Sequence, residues 1–305
     1  MKKVRYILLF MAAALLMAGC GRSYKEEQRL SAQERAKQYK DDSLALKVAV
    51  MPTLDCLPLM VAQEANLFDT LGADVRLKYY TAQMDCDTAL SRGRVEGSIT
   101  DLIRAERLIS KGTPLRYVAA TNTYWQFITN RLARLKEIKQ LEDKMIAMTR
   151  YSATDYLADY AIDSVKLKHD KTFKVQVNDV IVRLNMLLNN EMDAMLLTEP
   201  QATVARMYKN PVLMDTRKMN INLGVIVFRE KALRDKRRQQ QLSIFVKAYN
   251  QACDSINKNG VKHYRKLIAK YCKVKEAVAD SIPKMTFSHA QQPRLHDITI
   301  AKKRN

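Results

Sequence analysis

Polar side chains gather directly behind the apolar, strand-like runs of this chain. Thr53 and Asp55 follow "LKVAV", Gln83 and Asp85 follow "ADVRLKYY", and Asp101 follows "SIT". Asn122, Tyr124 and Trp125 end the run that begins at Leu115. Arg150, Ser152 and Thr154 follow "MIAMT", Asn178 ends "FKVQVN", and Glu199 stands just beyond "MDAMLL". Hydroxyls and amides exchange hydrogen bonds, carboxylates accept from cations, and arginine pairs with anions. That is the chemistry of reversible capture. Catalysis would need a nucleophile, a base and an orienting group close together, and no such set is visible. The histidines, His169, His263, His289 and His296, fall on none of these loops and lack metal-ligand spacing such as H-E-x-x-H. A non-covalent binder is expected, with no catalytic residue, metal or cofactor.

Several of these residues have a second, structural role open to them. Asp101 can accept from a ligand or cap the helix that follows it. Glu199 can meet an amine or serve as a first-turn acid favoured by the helix dipole. Trp125, the single tryptophan, can wall a cleft or pack a hinge. Arg150 can meet an anion at a strand end or form a surface ion pair. Met51, Met145, Met148 and Met195 read as core.

The elements that must place these groups alternate. Strands are expected at 45–50, 73–80, 98–100 and 115–122, with helices at 58–68, from Asp85 or Asp87, and at 101–112. Pro58 suits a first helical turn. The pattern then repeats, with strands at 127–130, 145–149, 173–178, 192–197 and 211–216. Helices are expected between them at 152–165, capped by Ser152 or Thr154, at 179–190 and at 199–210. A strand at 223–230 leads into helices at 236–259, 260–272 and 273–282, and "KKRN" reads as a frayed end. The fold class is α/β, in two lobes, each a mostly parallel sheet flanked by helices. Because the helical tail has no sheet of its own, it is expected to return to the first lobe. That makes two crossovers, a hinge and a cleft. In open α/β sheets ligands lie beyond the carboxyl ends of the strands, where the polar loops fall.

The N-terminus reads differently. Lys2, Lys3 and Arg5 precede an apolar stretch over residues 6–18, too short to span a bilayer. It ends in "LMAGC", which resembles a bacterial lipoprotein signal. That implies a signal peptide at 1–19 and lipid on Cys20, a membrane anchor when several acyl chains are present. Residues 20–43 are poor in apolar side chains and read as a tether. The boundaries that follow are 44–124 for the first part of lobe 1, 125–222 for lobe 2 and 223–305 for the return to lobe 1.

The chain carries 52 Lys and Arg against 32 Asp and Glu, a net charge of +20. An exported chain makes nucleic acid an unsuitable partner. An anionic surface or ligand suits the charge, although the basic runs fall at positions that suit solvated helix faces. An oxidising compartment permits two disulfides among Cys56, Cys86, Cys253 and Cys272. The pairs expected are 56–86, at one end of one sheet, and 253–272, on consecutive helices.

The pieces "DCLPLMVAQEANLF", "ALSRGRVEGSITDL", "LLNNEMDAMLLTEPQATVAR" and "GVIVF" resemble, in order and spacing, the type 2 periplasmic substrate-binding proteins. The likeness is nearest to the group serving nitrate, taurine and aliphatic-sulfonate importers and its thiamine-precursor relatives. It covers roughly residues 45–290. It implies a monomeric lipid-anchored receptor in a bacterial envelope, facing the periplasm or the outer surface. Such a receptor takes a small, anionic or sulfonate-like ligand and hands it to an ABC permease with its ATPase. Alternatives are a thiamine-precursor (pyrimidine) binder and a structural or surface-interaction lipoprotein that keeps the fold. The chain departs from the family in having Glu96 where Asp is usual. It also has no Gly in 51–57 and no Gly/Ser-rich turn in "TRYSATDYL". These departures bear on the ligand and leave the fold expectation unchanged.

Overall fold

Nine of the expected strands reappear within a residue or two of their sequence-derived positions, and the strand at 98–100 lengthens at both ends. The computed structural model describes residues 31–34, 36–37, 40 and 42–304. The expected signal peptide and Cys20 lie outside the described residues. The chain divides into two units, Met1–Ala45 and Leu46–Asn305. In the first, the described residues from 31 to 44 are helical, and all but the last fall in the segment read as a tether.

In the second unit the first half builds β1 (Leu46–Val50), α1 (Leu57–Glu64), α2 (Leu67–Thr70), β2 (Val75–Tyr79) and α3 (Gln83–Ser91). β3 (Gly97–Asp101), α4 (Leu102–Ser110) and β4 (Leu115–Ala120) follow. The middle builds β5 (Gln126–Thr129), β6 (Lys144–Met148), α5 (Ala153–Ser164), β7 (Thr172–Gln176), α6 (Val180–Leu188), β8 (Ala194–Leu197), α7 (Gln201–Met207) and β9 (Val212–Asp215). The chain closes with β10 (Gly224–Arg229), α8 (Lys236–Asn259), α9 (Arg265–Cys272), α10 (Val278–Ser281) and α11 (Leu295–Arg304).

Two five-stranded sheets result, ordered β2-β1-β3-β10-β4 and β7-β6-β8-β5-β9. In each sheet a single strand opposes the rest. β10 is antiparallel to β3 and β4, and β5 is antiparallel to β8 and β9. Both are the strands delivered by a crossover from the other sheet. The remaining pairings, β1 with β2 and β3 and β6 with β7 and β8, are parallel. This is the two-lobed, helix-flanked architecture expected of the type 2 periplasmic-binding-protein fold.

Local chemistry explains the boundaries. Pro58 sits in the first turn of α1, where no N–H is required. The expected helix over 58–68 breaks in two because Asn66 adopts the left-handed conformation, at φ 51°. Asp101 caps α4, Ser152 caps α5, Asp179 caps α6 and Asp235 caps α8. α8 lays its apolar stripe on the first sheet, where Phe245 meets Phe228 edge-on at 5.2 Å and stacks on Phe68 at 6.1 Å. The crossovers are packed on each other. Thr121 N donates to Gly224 O, and a Cβ on Gly224 would stand 2.2 Å from Thr121 Oγ1. Only glycine fits there.

Three expectations are corrected. Residues 295–304 form a helix in place of a frayed end, and Arg304 reaches Asp159 on α5. Its polar composition hid it, and an ion pair supplies part of what a strong apolar stripe would. Met145 is 40% exposed, on the open side of β6, where strand alternation turns it from the core; Met51, Met148 and Met195 are buried. The pairs 56–86 and 253–272 are absent: all four thiols are free and buried. Burial pushes each of them up in pKa. They serve as small apolar fillers of the core, the usual place of an unreactive cysteine.

Candidate functional site

The carboxyl ends of the two sheets face each other across a partly open cavity of about 70 Å³, room for several water-sized spheres. From the first lobe, Thr53 and Asp55 reach it from the loop after β1, Gln83 from the start of α3, and Thr100 and Asp101 from the end of β3. Thr123 and Trp125 come from the first crossover. The second lobe adds Thr149, Ser152 and Thr154 from the β6–α5 turn, Asn178 and Arg183 around the start of α6, and Thr198 and Gln201 ahead of and in α7. Met51, Ile99, Val180, Leu196 and Leu197 supply apolar wall.

Most polar wall residues are held by the fold. Thr123 Oγ1 donates to Asp55 Oδ2 at 2.6 Å and exchanges a hydrogen bond with Thr121 Oγ1 at 2.8 Å. Gln83 Nε2 donates to Thr100 Oγ1 at 3.0 Å. Asp101 accepts from Arg104 N at 3.0 Å, so its capping role is real, yet its carboxyl also faces the cavity. Burial pushes that carboxyl up to about 6, against the pull of Arg104. The β6–α5 turn is closed on itself: Thr154 N donates to Ser152 Oγ, and Thr149 N to Thr154 Oγ1.

Arg183 is 3% exposed. Its Nε and Nη2 donate to Val177 O at 3.0 and 2.6 Å, its Nη1 to Leu196 O at 3.3 Å, and its Nη2 also to Thr149 Oγ1 at 2.5 Å. Burial pulls the guanidinium down to about 10, against the opposing field of Asp179. It therefore braces three segments of the second lobe while one face borders the cavity.

The lobes also touch directly. Leu54 N donates to Glu199 O at 2.9 Å, Gln201 Nε2 to Pro52 O at 2.7 Å, and Val180 N to Thr81 O at 3.1 Å. Above them Arg107 stacks on the Tyr151 ring at 3.4 Å. These contacts describe a closed cleft.

Of the residues anticipated from sequence, Thr53, Asp55, Gln83, Asp101, Trp125, Ser152, Thr154 and Asn178 meet at this cavity. Asp85, Asn122, Tyr124, Arg150 and Glu199 lie off it. Asp85 is two positions past Gln83, which turns it to the outer side of α3. Asn122 and Tyr124 belong to an extended segment whose alternate side chains point opposite ways. Thr123 and Trp125 thus enter the cleft, while Asn122 and Tyr124 border a hollow behind the hinge with Arg217 and Lys284. Arg150 is exposed and offers its carbonyl to Arg104 Nη1. Glu199 is wholly buried: Tyr124 Oη donates to it at 2.7 Å, Thr203 Oγ1 at 2.6 Å and Arg206 Nη2 at 2.8 Å. Its charge is answered inside the protein.

Sequence reasoning missed Arg183 and Gln201. The signal for Arg183 was a lone cation in the apolar run "DVIVRLNMLL", four residues past a capping aspartate and so one turn into the helix, beside the strand ends. Gln201 stood two residues past Glu199, at the first position of α7.

The model of the NMT1-like family matches residues 40–273. The chain therefore belongs to the NMT1-like family. Its architecture is that of solved binding proteins at low identity. One is the ligand-binding component of an ABC-type import system from Staphylococcus aureus, described with zinc bound. It is 16% identical with a TM-score of 0.70, over 85% of this chain and 91% of that one. The alkanesulfonate-binding protein SsuA from Xanthomonas axonopodis pv. citri, bound to MOPS, is 15% identical with a TM-score of 0.70, over 85% and 90%. The periplasmic nitrate-binding protein NrtA from Synechocystis is 14% identical with a TM-score of 0.68, over 82% and 74%. A search of curated proteins finds no match.

Proposed function

We propose that this protein is an extracytoplasmic solute receptor. It takes a small molecule between its lobes and delivers it to a membrane permease driven by an ATPase, and lipid on Cys20 keeps it at the membrane. One observation carries the reading: polar side chains of both lobes converge on one cavity at the carboxyl ends of the strands. Closure follows from differential affinity, because a ligand touching both lobes binds the closed form better than the open one. The sulfonate- and nitrate-binding structures support a solute-receptor role by analogy of fold. No cysteine or histidine lines the cavity, which supports capture over catalysis. The cavity is also not filled by side chains, as a purely structural descendant of the fold would have it.

The test is a thermal-shift panel on residues 21–305, made without the lipid. It contains alkanesulfonates, taurine, nitrate, pyrimidine precursors of thiamine, amino acids and short glycans. Binding to the native state raises the melting temperature with dose. A dose-dependent rise with one class supports the receptor reading. A flat response across the panel, with ligand-free folded protein shown by mass spectrometry, rejects it in favour of a structural role.

A further inference from the structure

Two residues of the cavity wall set its chemical preference. Asp55 is 8% exposed and Gln201 1% exposed, and both line the cavity. Asp55 Oδ1 and Gln201 Oε1 are buried and receive no hydrogen bond from the protein. The orientation of the Gln201 amide follows from chemistry. Its nitrogen donates to Pro52 O at 2.7 Å, and a carbonyl can only accept, so the oxygen must be the free end. Asp55 is likewise fixed, because Thr123 Oγ1 holds its other oxygen. A buried acceptor left without a donor carries a desolvation cost of about 1–3 kcal/mol, more for a charged group. A ligand that supplies the N–H removes it.

The charges agree. The ionisable groups on the wall are Asp55 and Asp101 against Arg183. Every nitrogen of Arg183 already donates to a protein oxygen. At the start of α5, Thr154 N is taken by Ser152 Oγ, and Asp101 of the opposite lobe lines the same cavity. An anion entering there would meet the protein's own carboxyl group.

We infer that the ligand presents N–H donors and positive charge, as a small amidinium, ammonium or protonated amino-substituted ring does. Asp55 and Gln201 are the acceptors that select it. This rests on the receptor reading above and narrows it. The two residues come from opposite lobes, one from the loop after β1 and one from α7, so a ligand with two N–H groups in a plane ties the lobes together. A sulfonate or nitrate would instead bring oxygen against oxygen.

The probes are acetamidinium and acetate, planar molecules of the same shape with opposite charge and opposite hydrogen-bonding sense. Acetamidinium is expected to raise the melting temperature of the wild type with dose, and acetate to leave it unchanged. Asp55→Asn keeps the size of the side chain and an acceptor for Thr123, but replaces the free acceptor with a donor. It is expected to weaken acetamidinium binding at least tenfold. Should Asp55→Asn unfold, Gln201→Met, with circular dichroism as the folding control, is expected to weaken acetamidinium binding by removing the second acceptor. Acetate or methanesulfonate binding in place of acetamidinium overturns the inference and leaves the receptor reading standing. So does acetamidinium binding that folded Asp55→Asn leaves unaltered, which would mean that water satisfies these oxygens. No response to acetamidinium also overturns the inference, and the receptor reading falls with it only if the wider solute panel is flat as well.

Discussion

Replacing Asp101 by Asn isolates one carboxyl with a calculable effect. Asn caps a helix about as well as Asp, so the hydrogen bond from Arg104 N survives the change. What changes is proton linkage. Burial raises the Asp101 carboxyl from 3.8 to about 6 in the folded protein. In the unfolded chain it titrates near the ordinary value. Below about pH 4 it is protonated in both states and contributes nothing. Between about 4 and 6 the folded state holds a proton that the unfolded state has lost, so stability falls as pH rises. Above about 6 the cost of the buried charge is fully present. Roughly two pKa units correspond to about 3 kcal/mol. Urea unfolding of ligand-free wild type and Asp101→Asn from pH 4 to 7.5 gives the difference directly, since other titrating groups are common to both. The variant should gain about 3 kcal/mol on the wild type across that range. Parallel stability profiles would refute the argument. A cationic ligand stabilises the ionised form, so its binding near pH 6 should release a proton, detectable by calorimetry in buffers of different ionisation enthalpy.

Gly224→Ala drives a methyl group into the Thr121 and Thr123 hydroxyls of the other crossover. It should lower unfolding stability by about 1–3 kcal/mol, read as a shift in urea midpoint. Glu199→Gln removes the charge that answers Arg206 and changes an acceptor used by Thr203 or Tyr124. Its expected cost is on the order of 2–3 kcal/mol, moderated because Arg206 keeps some contact with water. Arg304→Ala removes the pairing of the last helix with Asp159, while Lys174 still serves that carboxylate at 2.7 Å. A loss near 1 kcal/mol is expected, with faster hydrogen exchange confined to residues 295–304.

Most of the architecture was legible because the periods are clear. "LKVAV", "MIAMT" and "GVIVF" are apolar, short and β-branched or compact, and each is bounded by a polar loop. Their alternation with helical repeats left little choice but two sheets with crossovers. The helix over 295–304 escaped because "LHDITIAKKR" has a broken apolar stripe and depends on distant ion pairs. Site residues were legible where topology alone decides position, as for Thr53, Asp55 and Asp101 at strand ends. They were not legible where one residue of phase matters: Tyr124 and Trp125 are neighbours on opposite faces, and nothing in the sequence says which one enters. Arg150 and Arg183 differ for a related reason. Turn residues advertise themselves, whereas a lone cation in an apolar helical run is a fainter signal that its carbonyl partners make plain. The cysteines were misjudged because an even count fits either disulfides or core filling.

The place of β10 has a consequence for the order in which the molecule assembles. It lies between β3 and β4, inside the first sheet and not at its rim. Until residues 224–229 emerge, β3 and β4 each present an open row of N–H and C=O groups with nothing alongside. The second lobe, wholly contained between the crossovers, has all its strands before that moment. The half of the protein that is made first is thus completed last. A chain stopped short of Gly224 should hold a finished second lobe beside an unfinished first one, and pulsed hydrogen exchange on full-length protein should show β8 protected ahead of β3.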